Sequence, residues 1–254
     1  MSTATHTQDV SLLARADLVL LLADALRPPA EAQRRLLGVQ SDDLLSLIAA
    51  AGFATSDELL RALRQMLDTA RQTPAEGWSD EYHRLFEGAM VCPANETAFI
   101  RRDKGAIIGD LAGYYRAFGW QPTAHGGEKA DHLITELEFL AMLLAMAAAA
   151  PIDQASGAAD ITASAIHSFV ADHLGDWIEA VCERLANLTA LELYRDAASS
   201  LLLVWRAMAA AHNWPSPVAA SASADLTLDE PDTREVCAAT DAPVSLTIHR
   251  PRPS

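Results

Sequence analysis

Apolar residues return along most of this chain at spacings of three and four, the period of an α-helix that buries one face. Leu12, Ala16, Val19, Ala23 and Leu26 mark the first stripe, which Pro28 and Pro29 end. Helical segments follow at about 42–51 and 56–71, separated by Gly52, with Thr55 and Glu58 spaced as a capping box for the second. The stretch 74–77 interrupts the pattern, and 79–88 resumes it with Tyr82, Leu85 and Phe86 on one face. After a loop over 89–105, helix is expected again at 106–118. Gly119, Pro122, Gly126 and Gly127 then make the most prominent break, a candidate hinge.

Beyond that break, 131–149 is apolar on most sides, as suits a helix at the centre of a bundle. A linker over 151–157 leads to helices near 160–173 and 174–187. The last helix sets Leu191, Tyr194, Ala198, Leu201, Trp205 and Met208 in three-four alternation. From residue 213 the chain turns to Pro, Ser, Ala, Asp and Thr without helical period, which predicts a disordered tail. No solenoid repeat occurs, and the only alternating stretch is the short Pro243–Ile248. These signals predict an all-α protein with an N-terminal helical subdomain over 1–125, a C-terminal one over 126–212, and the tail 213–254.

Composition narrows the function classes. Half of the 254 residues are apolar but only 6% are aromatic, so Ala and Leu supply the core, which suits helices better than sheets. A formal charge of −15 repels phosphate backbones and anionic lipid, which argues against nucleic acid as a partner and favours a basic polypeptide segment. Cys92, Cys182 and Cys237 are far apart and form no CxxC pair, consistent with free thiols in a reducing compartment. The apolar run 18–23 is too short for a signal peptide and 139–150 too short for a membrane span, so the expected location is the cytoplasm, without stable membrane insertion.

Catalytic signatures are missing: there is no phosphate-binding glycine loop, no GxSxG and no HExxH. The most suggestive polar cluster is Glu128, Asp131, His132, Glu136 and Glu138 at one helix entrance. His132 and Glu136 share a face at i, i+4, yet a di-iron bundle needs Glu-x-x-His pairs on two helices, and none exists. On the residues alone, Asp131 reads either as part of an anion site or as an acid at a helix N-terminus, and His132 reads first as structural. Tyr82, Leu85 and Phe86 read as core or as apolar anchors for a partner helix.

Five segments, in this order, resemble the TorD/DmsD/NarJ family of redox-enzyme maturation chaperones. They are EYHRLF (Glu81–Phe86), PANETAF (Pro93–Phe99), YYRAFG (Tyr114–Gly119), EKADHLITELEFLAMLL (Glu128–Leu144), and the line from Phe169 through Asp172, His173 and Leu174 to Trp177. The resemblance implies a TorD-like bundle of about ten helices in two subdomains joined by a hinge. It also implies a non-enzymatic role: binding the twin-arginine leader or apo-form of a molybdenum oxidoreductase until its cofactor is inserted. By position, Tyr82, Leu85, Phe86, Pro93 and Glu96 would line or support the leader site, with Asp131 and His132 at the hinge. Some members of the family also bind molybdopterin cofactor or guanine nucleotide, which no phosphate motif here supports. Ala94 and Asn95 stand where the family usually has Pro and an aromatic residue, removing a large anchor. Ala130 stands where a proline often precedes Asp-His. The rival classes are a metal-dependent helical-bundle enzyme and a small-molecule sensor or adaptor.

Overall fold

In a computed structural model of the chain, which describes residues 2–122, 129–149 and 157–214, the first apolar stripe lies on α1 (Ser2–Ala25). Ala14, Ala16, Ala23 and Ala25 are buried there, and these small side chains let α1 lie closely along α7 (Leu133–Ala149). The prolines that end α1 also begin a helix that periodicity alone did not indicate, α2 (Pro29–Leu36). Proline is tolerated in a first turn because its missing N–H has no intrahelical partner there.

α3 (Ser41–Ala51) ends on Gly52 in the left-handed conformation at φ 68°. α4 (Ser56–Gln72) carries Leu59, Leu63, Met66, Leu67 and Ala70 inward, as its period predicts. Its expected capping box is not formed: the Thr55 side chain caps nothing, and the box sits instead at α3, between Gln40 and Asp43. α5 (Ala75–Tyr82) runs into a wide π-turn over 83–87. α6 (Lys104–Ala117) is capped by Asp103, whose carboxylate accepts from Ala106 N at 2.8 Å.

α7 is buried on nearly every side, as expected for a central helix. α8 (Ala158–Phe169) and α9 (Gly175–Leu188) flank a second π-turn over 170–174. Gly175 permits that turn, because a Cβ there would lie 2.5 Å from the Val170 carbonyl oxygen. α10 (Glu192–His212) buries Tyr194, Ala198, Leu201, Trp205 and Met208 against α4 and α9.

The architecture is all-α. The described residues fall in one compact unit, Met1–Val218. Its aromatic centre is Phe139, whose ring meets those of Tyr115, Phe118, Trp120 and Phe169 at centroid distances of 4.8, 6.1, 5.4 and 4.9 Å. No described helix is long and apolar enough to cross a membrane. Most of the proposed hinge (123–128), the linker 151–156 and the tail from 215 lie outside the described residues.

Candidate functional site

Two motifs far apart in sequence meet in space. Asn95 and His132 form an isolated antiparallel bridge, flanked by Glu96 N donating to Asp131 O at 2.9 Å and Leu133 N donating to Ala94 O at 2.8 Å. The Asp131 side chain, 1% exposed, completes the junction. Its Oδ1 accepts from Asn95 Nδ2 at 3.1 Å, and its Oδ2 accepts from Thr97 Oγ1 at 2.6 Å and Thr97 N at 3.3 Å. α7 starts only at Leu133, so these bonds tie Asp131 to the 95–97 loop.

Beneath this junction lies a buried polar knot. Glu96, Glu136 and His173 are each 0% exposed. His173 Nδ1 donates to Glu96 Oε2 at 2.9 Å, and Trp177 Nε1 donates to Glu136 Oε2 at 3.2 Å. Burial first, and then the neighbouring Glu96 carboxylate, hold the Glu136 carboxyl well above its ordinary range. As ionised groups, Glu96 and Glu136 would each leave one oxygen, Oε1, without a partner. A proton on Glu136 donated to Glu96 relieves both carboxyls, because a neutral acid is a donor where a carboxylate only accepts. Tyr115 seals the flank by donating to Ala130 O at 2.6 Å.

On the other side of the bridge, Tyr82, Phe86 and His132 border a small, largely enclosed recess with Ala94 and Leu133. The Tyr82 and Phe86 rings are 5.2 Å apart, and Phe86 meets Tyr194 edge-on at 5.6 Å. Burial lowers the His132 pKa to about 4, so the ring is neutral at pH 7, and its Nδ1 accepts from Ile134 N at 3.3 Å. Pro93, next to Ala94 in sequence, is half-buried, and Leu85 is wholly buried as a core residue.

The residues singled out from sequence therefore fall into two sets. Tyr82, Phe86, Pro93 and His132 reach partly to the surface, while Leu85, Glu96 and Asp131 are buried. His132 and Glu136 do not work together: Glu136 turns to Trp177 and Glu96, His132 to the Tyr82–Phe86 side. Among the described residues, no group of three or more His, Cys, Asp or Glu is arranged to hold a metal ion. The joining of Glu96 to His173 was not legible from spacing. The resemblance includes His173 only within its Phe169–Trp177 line, which gave it no role at the site.

The chain matches the family described as nitrate reductase delta subunit over residues 32–183. That span includes both bridge segments and the whole polar knot. No curated protein and no solved structure matches the chain.

Proposed function

The chain belongs to the nitrate reductase delta subunit family, a family of chaperones for molybdoenzyme maturation, and from that premise we propose that it is a cytoplasmic, non-catalytic chaperone for one such enzyme. It binds the leader or another segment of the apo-subunit of a molybdopterin oxidoreductase and holds it while the cofactor is inserted. The observation that carries this reading is the bridge between 94–97 and 131–133, which joins the Pro93–Phe99 segment to the Asp131-His132 motif beside Tyr82 and Phe86.

On this reading Tyr82, Phe86, Pro93 and His132 meet the client, and Leu85, Glu96 and Asp131 position them. The small recess that Tyr82 and Phe86 share with His132 and Leu133 is where an apolar client residue would be seated. Neutral His132 can sit against an apolar segment without the cost of burying a charge. The acidic character of the chain attracts a client segment bearing basic residues.

The test is Phe86→Ala in the full chain, assayed for thermal midpoint and for capture of a nitrate reductase-type apo-subunit. A folded variant should bind the client about 1–2 kcal/mol more weakly. Unchanged client affinity removes Phe86 from the site. In cells where the variant is the only chaperone copy, client activity should fall by more than the amount of folded chaperone does.

A further inference from the structure

Among the described residues, two that are not glycine have their backbone in the left-handed region, Met90 at φ 43° and Asn213 at φ 51°. Asn213 is ordinary there, because it caps the C-terminal end of α10 and asparagine tolerates that conformation. Met90 lies in a loop and is not a tolerant residue type. For an L residue with a long side chain this conformation brings Cβ too close to the following carbonyl oxygen. Such strain persists only where the surroundings over-determine it.

The surroundings of Met90 do so. Gly88 N donates to His83 O at 2.8 Å before it, and Cys92 N donates to Leu85 O at 3.0 Å after it. From α9, Arg184 donates to Val91 O through Nε at 3.2 Å and Nη2 at 2.9 Å. These bonds fasten the backbone on both sides and leave the side chain out. Val91 packs against the core and Cys92 is wholly buried, while Met90 is 54% exposed. A strained backbone that holds an apolar side chain in water gives folding nothing, and points to a contact outside the chain.

The place of the loop says which contact. It joins the π-turn that carries Phe86 to Pro93, and α9 serves both: Val181 and Leu185 border the recess of Tyr82 and Phe86, and Arg184, between them in sequence, holds the Met90 loop. We propose that Met90 is a further client-contacting residue, which selects an apolar client side chain next to that recess. That the contact is with a client rests on the chaperone reading; that Met90 makes one rests on the loop. The thioether is unbranched and polarisable, so it fits apolar side chains of several shapes. The Arg184 guanidinium on the next residue's carbonyl disfavours a basic client residue at this point.

The full chain is compared as wild type, Met90→Gly, Met90→Asn and Met90→Leu, for thermal midpoint and for capture of a purified nitrate reductase-type apo-subunit. Glycine and asparagine both accept the left-handed backbone but remove the apolar side chain. They should keep or raise the midpoint, glycine by about 2 °C, and weaken capture at least about fivefold. Met90→Leu, which keeps apolar bulk, should stay within about twofold of wild-type capture. Leu45→Gln, at a comparably exposed apolar position on α3, should leave capture unchanged; an equal loss there would make the effect one of general surface apolarity and overturn the assignment. Contact itself is read by mild peroxide treatment and mass spectrometry. Bound apo-subunit should slow sulfoxide formation at Met90 several-fold, but not at the exposed Met146 of α7. Undiminished capture by the folded glycine and asparagine variants, or equal Met90 oxidation with and without client, removes Met90 and leaves the chaperone reading standing. A midpoint that falls by several degrees in both variants shows that the side chain supports the fold, and overturns the assignment as well. If the wild type captures no apo-subunit, the chaperone reading fails, and the Met90 contact with it.

Discussion

The apolar spine formed by α1, α7 and α10 and the polar knot beneath the 95–97 loop are equally buried, yet they are held by different physics. Phe139, Leu140 and Leu144 are interchangeable in kind: any residue of similar volume keeps them out of water, and their stabilisation follows the area buried. Glu96, Asp131, Glu136 and His173 are not interchangeable. Each is tolerated only because a particular partner from a distant segment meets it. The spine therefore sets whether the chain folds, and the knot sets how the 95–97 loop is held once it has folded.

Deleting the centre of the spine should have the largest effect. Phe139 is 0% exposed and touches four other aromatic rings, so Phe139→Ala should cost about 3–5 kcal/mol. Denaturant unfolding measures it. A loss below about 2 kcal/mol would mean that neighbouring rings collapse into the space and that the spine is less tightly packed than its burial indicates.

Asp131→Ala tests the knot in the same assay. It leaves Asn95 Nδ2, Thr97 N and Thr97 Oγ1 without their acceptor, for an expected cost of about 1.5–3 kcal/mol. Local amide exchange should rise over 94–97 more than on α1 or α10. Uniform destabilisation would break the distinction between the two regions.

Glu136 gives the knot a pH dependence that the spine lacks. Its folded pKa is raised above the unfolded value near 4.5, so the folded state binds the proton more tightly. Stability attributable to this proton is greatest below the unfolded value and declines as pH rises toward the folded one. Glu136→Gln removes the titration. Its stability relative to wild type should therefore grow with pH from about 4.5 upward, by up to about 1.4 kcal/mol per unit. Parallel stability curves for the two proteins from pH 5 to 8 would mean that Glu136 is ionised throughout. A buried carboxylate with a cationic partner behaves oppositely. Glu81, lowered to about 2 by its Arg84 hydrogen bonds, contributes stability above its ordinary value that is lost as pH falls toward 2.

The same division explains what could be read from the chain. The faces of α1 and α10 were legible because burial repeats every turn, so each of Tyr194, Ala198 and Leu201 confirms the others. α2 was not, since Pro29 reads as a stop unless it falls in a first turn. Asp131, His132 and Tyr82 to Phe86 stood out on the residues alone with structural and functional readings both open, and Pro93 and Glu96 were singled out only through resemblance to a family. That Glu96 meets His173, 77 positions away, depends on how α7 and the 170–174 turn pack, and no local period encodes it. The two π-turns, at 83–87 and 170–174, were equally invisible, because each adds one residue to a turn without altering the pattern on either side.

The smallest effect expected is at Thr55, where a local polar motif promised an interaction that the fold does not make. Thr55 and Glu58 have capping-box spacing, but the Thr55 side chain forms no cap bond and its backbone is not extended, at φ −97° and ψ 27°. Asp103 has no such box, yet its carboxylate accepts from Ala106 N at 2.8 Å with the backbone at φ −55° and ψ 124°. Thr55→Ala should therefore change stability by less than about 0.5 kcal/mol, whereas Asp103→Ala should cost about 0.5–2 kcal/mol. Paired thermal melts compare them directly. A Thr55→Ala loss as large as that of Asp103→Ala would show that the box forms in solution, and that local polar spacing is a better guide to this chain than its distant polar contacts suggest.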